Sequence, residues 1–181
     1  MIIGVDLGNK SRNSIVVMDG TKLIEWSRLN YSDSANAWEH RKKICRQIKE
    51  YIKKYNLTKD DYLLFEQIFF SRGLSRMANI TSMAFLQATI INEFSDMISI
   101  SEVHVQSWKC KVLGGRSATK EDAVTLVEKN YPEIDLNILV PHKRKGNEII
   151  KDNDTADAVC IALYPNYVDE KKLQEHLVNY T

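Results

Sequence analysis

The sequence predicts an α/β fold built on a mixed central sheet flanked by helices. Three observations predict it. Three short strand-like runs follow one another from the first residues, as antiparallel neighbours do. Two later strand-like segments, at residues 62–67 and 102–105, each stand between helical patterns, as parallel strands do. The 181 residues, 44% apolar and 27% charged, suit one soluble domain with a full core.

The elements follow in order. Ile2-Ile3-Gly4-Val5-Asp6-Leu7 opens the chain as an apolar strand that ends on an acid. Residues 14–18 and 22–29 continue as the second and third strands, with Asp19-Gly20 as the turn. Over residues 34–55, Trp38, Cys45, Ile48, Ile52 and Tyr55 fall on one helical face. Arg41, Lys42, Arg46, Lys49, Lys53 and Lys54 fall on the other. Residues 62–67 form a short buried strand, and a loop containing Gly73 leads to a second helix over 75–94. That helix is apolar around much of its circumference, from Met77 to Phe94. Burial on more than one side follows, either inside one domain or at a subunit interface. Residues 102–105 form a strand and 107–112 a short helical turn, followed by the loop 114–118. Thr119 then caps a helix with Glu121 and Asp122 in its first turn. Residues 132–153 are the least regular part, contain the tract His142-Lys143-Arg144-Lys145, and read as a mobile loop. A last helix covers 154–164, with Pro165 just beyond it. The division expected is one domain over residues 1–165 and a peripheral tail over 166–181.

Several function classes drop out. No apolar stretch is long enough to span a bilayer. The first residues lack the pattern of a secretory signal, so a cytoplasmic location is expected. Cys45, Cys110 and Cys160 are few and widely spaced, which opposes a disulfide framework or a cysteine zinc site. There is no Walker A loop and no Gly-x-Gly-x-x-Gly, so no nucleotide cofactor is expected. The formal charge of +1 argues little for nucleic acid as a sum. Its distribution argues more, because basic residues cluster at 41–43, 49–54, 72–76, 109–116 and 142–145.

Four carboxylates carry the chemistry. Asp6 and Glu66 each end an apolar run, and Asp154 and Asp157 open the last helix on one face. An acid at the end of a buried strand is costly to desolvate without a compensating cation. Acids that converge from separate elements make an oxygen-rich site for a hard divalent ion. Each has a plainer reading. Glu66 can be a surface strand end, Asp154 a helix cap, and Asp157 a complement to the helix dipole. Lys109 and Lys120 can be solvated. Phe69 and Phe70 can be core, or one of them can stack on an unpaired base.

Taken together, these segments resemble the RuvC family of Holliday-junction resolvases, within the RNase H-like superfamily. Residues 2–8 look like the family's first strand and acid. Tyr62-Leu63-Leu64-Phe65-Glu66-Gln67-Ile68-Phe69 is similar to its second acid, the following Gln and an aromatic near the crossover. Asp154-Thr155-Ala156-Asp157-Ala158 resembles its final acidic helix. Residues 105–114 and 117–120 resemble segments whose lysines, here Lys109 and Lys120, lie near the scissile phosphate. The resemblance implies an RNase H-like fold, a homodimer formed through the 75–94 region, and two Mg²⁺ or Mn²⁺ ions held by Asp6, Glu66, Asp154 and Asp157. It implies cleavage of branched DNA: four-way junctions, with forks, flaps and three-way branches as further substrates. Phe69, Arg72, Arg76, Lys111, Arg116, Lys143, Arg144 and Lys145 are the expected DNA contacts. Residues 132–153 are longer and more basic than the family pattern, and the tail from 166 has no counterpart in it. The rival readings are a ribonuclease on RNA–DNA hybrids, a non-catalytic junction-binding relative, and a small ATPase, which the length disfavours.

Overall fold

The computed structural model describes residues 1–7, 12–30, 34, 36–68, 74–142 and 146–174. Its main sheet contains β1 (Ile2–Asp6), β2 (Arg12–Asp19), β3 (Lys22–Asn30), β4 (Tyr62–Glu66) and β5 (Ser99–Val103). The spatial order is β3-β2-β1-β4-β5. The first three strands are antiparallel neighbours, and β4 and β5 extend the sheet in parallel. The expected mixed sheet is therefore present. Asp19 pairs with Lys22, so Gly20 and Thr21 form the turn, with Gly20 at φ +57, a conformation glycine adopts without strain.

Alternation along the strands divides the core between two faces. Ile2, Val16, Met18 and Leu64 pack with α3 (Val105–Val112), α4 (Lys120–Asn130) and α5 (Asn153–Leu163). Ile3, Val5, Ile15, Val17, Leu63 and Phe65 pack on the other face with α1 (Ala37–Lys54) and α2 (Leu74–Phe94). The buried stripe of α1 is His40, Ile44, Cys45, Ile48, Tyr51 and Ile52. Trp38, expected in that stripe, is instead 57% exposed. It lies in the first turn, where His40 takes the inward position. On α2, Ile80, Leu86, Ile90, Ile91 and Phe94 are buried, whereas Phe85 is 61% exposed.

Residues 132–153 depart from the expected loop. There β6 (Asn137–His142) and β7 (Gly146–Lys151) pair antiparallel as a second, two-stranded sheet. Pro141 and the neighbouring cations hide this hairpin in the sequence, because both lower strand propensity. Leu139 and Ile149 face each other across it and are 62% and 67% exposed. Beyond α5, a 3₁₀ turn (Tyr164–Tyr167) and α6 (Glu170–Gln174) follow. Leu173 is buried in the core, and the Ser101 hydroxyl donates to its carbonyl at 3.5 Å. Among the described residues, no helix is long and apolar enough to cross a membrane. Cys45 and Cys160 are buried and Cys110 is exposed, none of them in a disulfide.

Candidate active site

Asp6 and Glu66 end neighbouring parallel strands in register, since Val5 pairs with Phe65. Both side chains therefore leave the same face of the sheet, the face that α5 covers. What brings α5 so close is Gly4. A Cβ there would lie 2.5 Å from the Ala158 carbonyl and 2.6 Å from the Ala162 Cβ. Two strand residues advance about 6.6 Å, and four helical residues advance about 6 Å. From Gly4 beside Ala158 and Ala162, one step along β1 thus sets Asp6 beside the first turns of α5, which carry Asp154 and Asp157.

The start of α5 is fixed by a buried polar network that the sequence reading missed. Asp152, fully buried, is the helix cap, and its carboxylate accepts from the Thr155 backbone N–H at 3.3 Å. It also accepts from the Thr155 hydroxyl and from Arg28 Nε. Arg28 Nη2 in turn donates to the Asp135 carbonyl at 2.8 Å. Thr155 Oγ1 lies 2.7 Å from Ser14 Oγ, and Ser14 is the residue that pairs with Asp6 on β2. The plainer reading of Asp154 as the cap is therefore corrected. Asp152 caps the helix, and Asp154 sits in its first turn. Asp152, Asn153 and Asp154 are all good cap residues, so the sequence alone leaves the choice of cap open.

Glu66 is held from both sides. The Trp108 indole N–H donates to Glu66 Oε2 at 3.2 Å, and Gln87 Nε2 donates to its carbonyl at 2.8 Å. A buried indole needs such an acceptor, which is the signal that could have singled out Trp108. Beside Asp6 and Glu66 lies a cleft of about 230 Å³, walled on its apolar side by Leu7, Ile68, Ile80 and Met83.

The four acids share one electrostatic field. Burial, followed by the charges of Asp154, Asp157 and Glu66, holds the Asp6 carboxyl well above the usual range, with Lys120 opposing. Burial chiefly pushes Asp157 up to about 7, against Lys120 and Lys109 and with Glu66 and Asp154 adding to the rise. Burial also raises Glu66, against the Trp108 hydrogen bond and the charges of Lys109 and Lys120. Lys120 is the first residue of α4, behind a capping box made by Thr119 and Asp122. Lys109 lies on α3, where its ammonium donates to the Ala118 carbonyl at 2.9 Å.

This donor set fits a hard divalent cation: it is made of carboxylate oxygens, three of the four acids are held up by burial, and Asp6 and Asp157 are raised further by their acidic neighbours. Among the described residues, no three His, Cys, Asp or Glu side chains stand close enough as placed to hold one ion. Of the expected DNA contacts, Lys111 and Arg116 are exposed. Arg76 lies in the first turn of α2. Phe69, Arg72, Lys143, Arg144 and Lys145 lie outside the described residues.

No protein-family model matches the chain, and no curated protein matches it by sequence. Solved structures do match. The Thermus thermophilus RuvC structure aligns with a TM-score of 0.61 at 15% identity, over 97% of this chain and 97% of that one. T. thermophilus RuvC in complex with Holliday junction substrate aligns with a TM-score of 0.62 at 15% identity, over 92% of each chain. The yeast mitochondrial Holliday junction resolvase Ydc2 aligns with a TM-score of 0.51 at 15% identity, over 92% of this chain and 77% of that one. By this likeness the chain has an RNase H-like α/β fold, as RuvC has.

Proposed function

We propose that this chain is a metal-dependent endonuclease that resolves four-way DNA junctions, and cuts related branches, by paired nicks made in a homodimer. One observation carries the reading: four carboxylates from three distant segments share a desolvated field at one sheet edge, with two lysines beside them. A protein that only bound DNA would have no use for that concentration of negative charge. The fold likeness to a RuvC that was solved with a Holliday junction substrate supports the same reading.

Asp6, Glu66, Asp154 and Asp157 hold two Mg²⁺ or Mn²⁺ ions in this reading. When bound, such ions activate the attacking water and stabilise the leaving 3′ oxygen. The protein does the rest. Trp108 keeps Glu66 aimed at the shared space, and the Asp152–Thr155–Ser14 network fixes the acids of α5 against Asp6. Lys120 and Lys109 offset the charge that builds on the phosphate. Lys111 and Arg116 meet backbone phosphates, which gives grip without sequence readout. The exposed part of α2, with Phe85 and Ala88 outward, is the surface through which two copies pair.

The test is cleavage of an immobile four-way junction, labelled on each strand in turn, in Mg²⁺ and in Ca²⁺. Symmetric paired nicks in Mg²⁺ are expected. Glu66→Gln and Asp157→Asn should keep junction binding but cut about a hundredfold more slowly or worse under single turnover. Wild-type rates in both variants would overturn the assignment. Cutting of an RNA–DNA hybrid in place of the junction would move the protein to ribonuclease chemistry.

A further inference from the structure

The proposed chemistry leaves one exposed aromatic unused. Trp38 stands in the first turn of α1, 57% exposed, although the sequence pattern expects it inside. Lys42, one turn on, lies 5.5 Å from the centre of its ring, and also 3.5 Å from Glu39. The first ten residues of α1 carry Arg41, Lys42, Lys43 and Arg46 against the single carboxylate of Glu39.

The turn that presents Trp38 is firmly placed. The Asn36 side chain accepts from the Glu39 backbone N–H at 3.0 Å. His40, buried two residues after Trp38, has Nε2 at 2.7 Å from Asn13 Nδ2 and Nδ1 at 3.3 Å from Ser34 Oγ. Asn13 adjoins Ser14, which pairs with Asp6. Arg41 donates to Ser82 Oγ at 2.9 Å and ties the same turn to α2. The sheet register gives the direction: Arg12 pairs with Asn30, so β3 ends at the carboxylate edge, and α1 is capped only six residues later. Trp38 therefore stands at the edge that carries the acids, on the far face of the sheet from α5.

We propose that Trp38, with Lys42 and Arg46 behind it, is a binding site for a DNA strand that leaves the carboxylates and crosses the sheet edge. The indole stacks on a base near the branch, where pairing is interrupted, and the cations meet the adjoining phosphates. Stacking needs an open aromatic face on a rigid support with positive charge nearby, and this turn supplies all three. The inference rests on the nuclease reading for its substrate class, but its readout is binding.

The experiment uses the full chain in Ca²⁺, titrated with a four-way junction and with linear duplex of the same sequence. Tryptophan emission and junction affinity are read together. The chain has three tryptophans. Trp108 is fully buried, and Trp26 is half-buried with Arg28 over its ring at 5.3 Å, so Trp38 is the exposed reporter. Junction should quench wild-type emission, and Trp38→Phe should remove that change while keeping most of the affinity. Trp38→Ala should bind the junction about tenfold more weakly. Wild-type affinity in Trp38→Ala, with the emission change persisting in Trp38→Phe, overturns this inference while leaving a cutting wild type intact. Quenching through Trp38 by a wild type that never cuts in Mg²⁺ upholds the binding site and sinks the nuclease. A wild type that neither binds nor cuts sinks both.

Discussion

Asp157 illustrates what a single residue contributes at this site. Its carboxyl ionises near 7 in the folded chain, against an ordinary value of 3.8, because burial and two neighbouring acids oppose its charge more than two lysines favour it. A raised folded value means that the native state holds a proton the unfolded chain has already released. The associated stability is present below about pH 4 and is lost as pH rises to about 7. Asp6 and Glu66 shift in the same direction. The metal-free protein should therefore melt several degrees lower at pH 8 than at pH 5, and Mg²⁺ should restore most of the difference at pH 8. Thermal unfolding in chelator at the two pH values, then with Mg²⁺ added, checks this. Equal melting temperatures in chelator would show that the acids are not repelling one another in solution.

At the scale of elements, the contact of α5 with β1 matters most, and it passes through one missing side chain. In Gly4→Ala the new methyl would meet helix backbone, not a side chain that could swing aside. The helix must shift, and Asp154 and Asp157 shift with it. The expected cost is about 1–3 kcal/mol of stability and a loss of cutting larger than that destabilisation explains. Denaturant unfolding and single-turnover cleavage on the same preparation separate the two effects, and full activity would mean that α5 tolerates displacement.

The elements also show what a sequence can and cannot reveal. Apolar runs with clear turns gave β1 to β4 and the α1 and α2 helices to within a few residues, because period and length both spoke for them. The acids were visible for the same reason, since each interrupts or borders an apolar run. Three features were not visible. Asp152, Asn153 and Asp154 compete for one cap, and only the partners Arg28 and Thr155 decide it. Trp38 shares a helical face with Cys45, and pattern alone cannot tell that His40 turns inward in that first turn. The β6–β7 hairpin has a proline and a run of cations where a strand detector expects neither.

For the whole molecule, strand direction has an electrostatic result. β1, β3, β4 and β5 all run the same way, so α1, α2 and α3, which follow three of them, all begin at the edge that carries Asp6 and Glu66. Helix starts are electropositive. A chain of formal charge +1 can thus present a field suited to phosphates at one edge. The proposed homodimer also belongs at this scale. Phe85 is exposed on α2, and Ala88, Ile91, Asn92 and Ser95 line an adjacent hollow of about 370 Å³. A phenyl ring left in water beside a hollow of that size is the shape of a self-complementary contact. Phe85→Glu should convert a dimer to a monomer in sedimentation velocity and abolish paired nicking while single nicks persist. An unchanged sedimentation coefficient would place the subunit contact elsewhere.

The β6–β7 hairpin has its own consequence. Its two roots are already joined, since the Asp152 backbone N–H donates to the Leu136 carbonyl at 2.7 Å. The two strands between those residues pair with each other and not with the main sheet, and β7 meets the body at its end, where Lys151 pairs with Glu128 of α4. Such an insertion is modular. A lineage could lengthen it, trim it or change its tip without refitting the core or moving an acid, so under the proposed function the range of branched shapes accepted could drift independently of the acids.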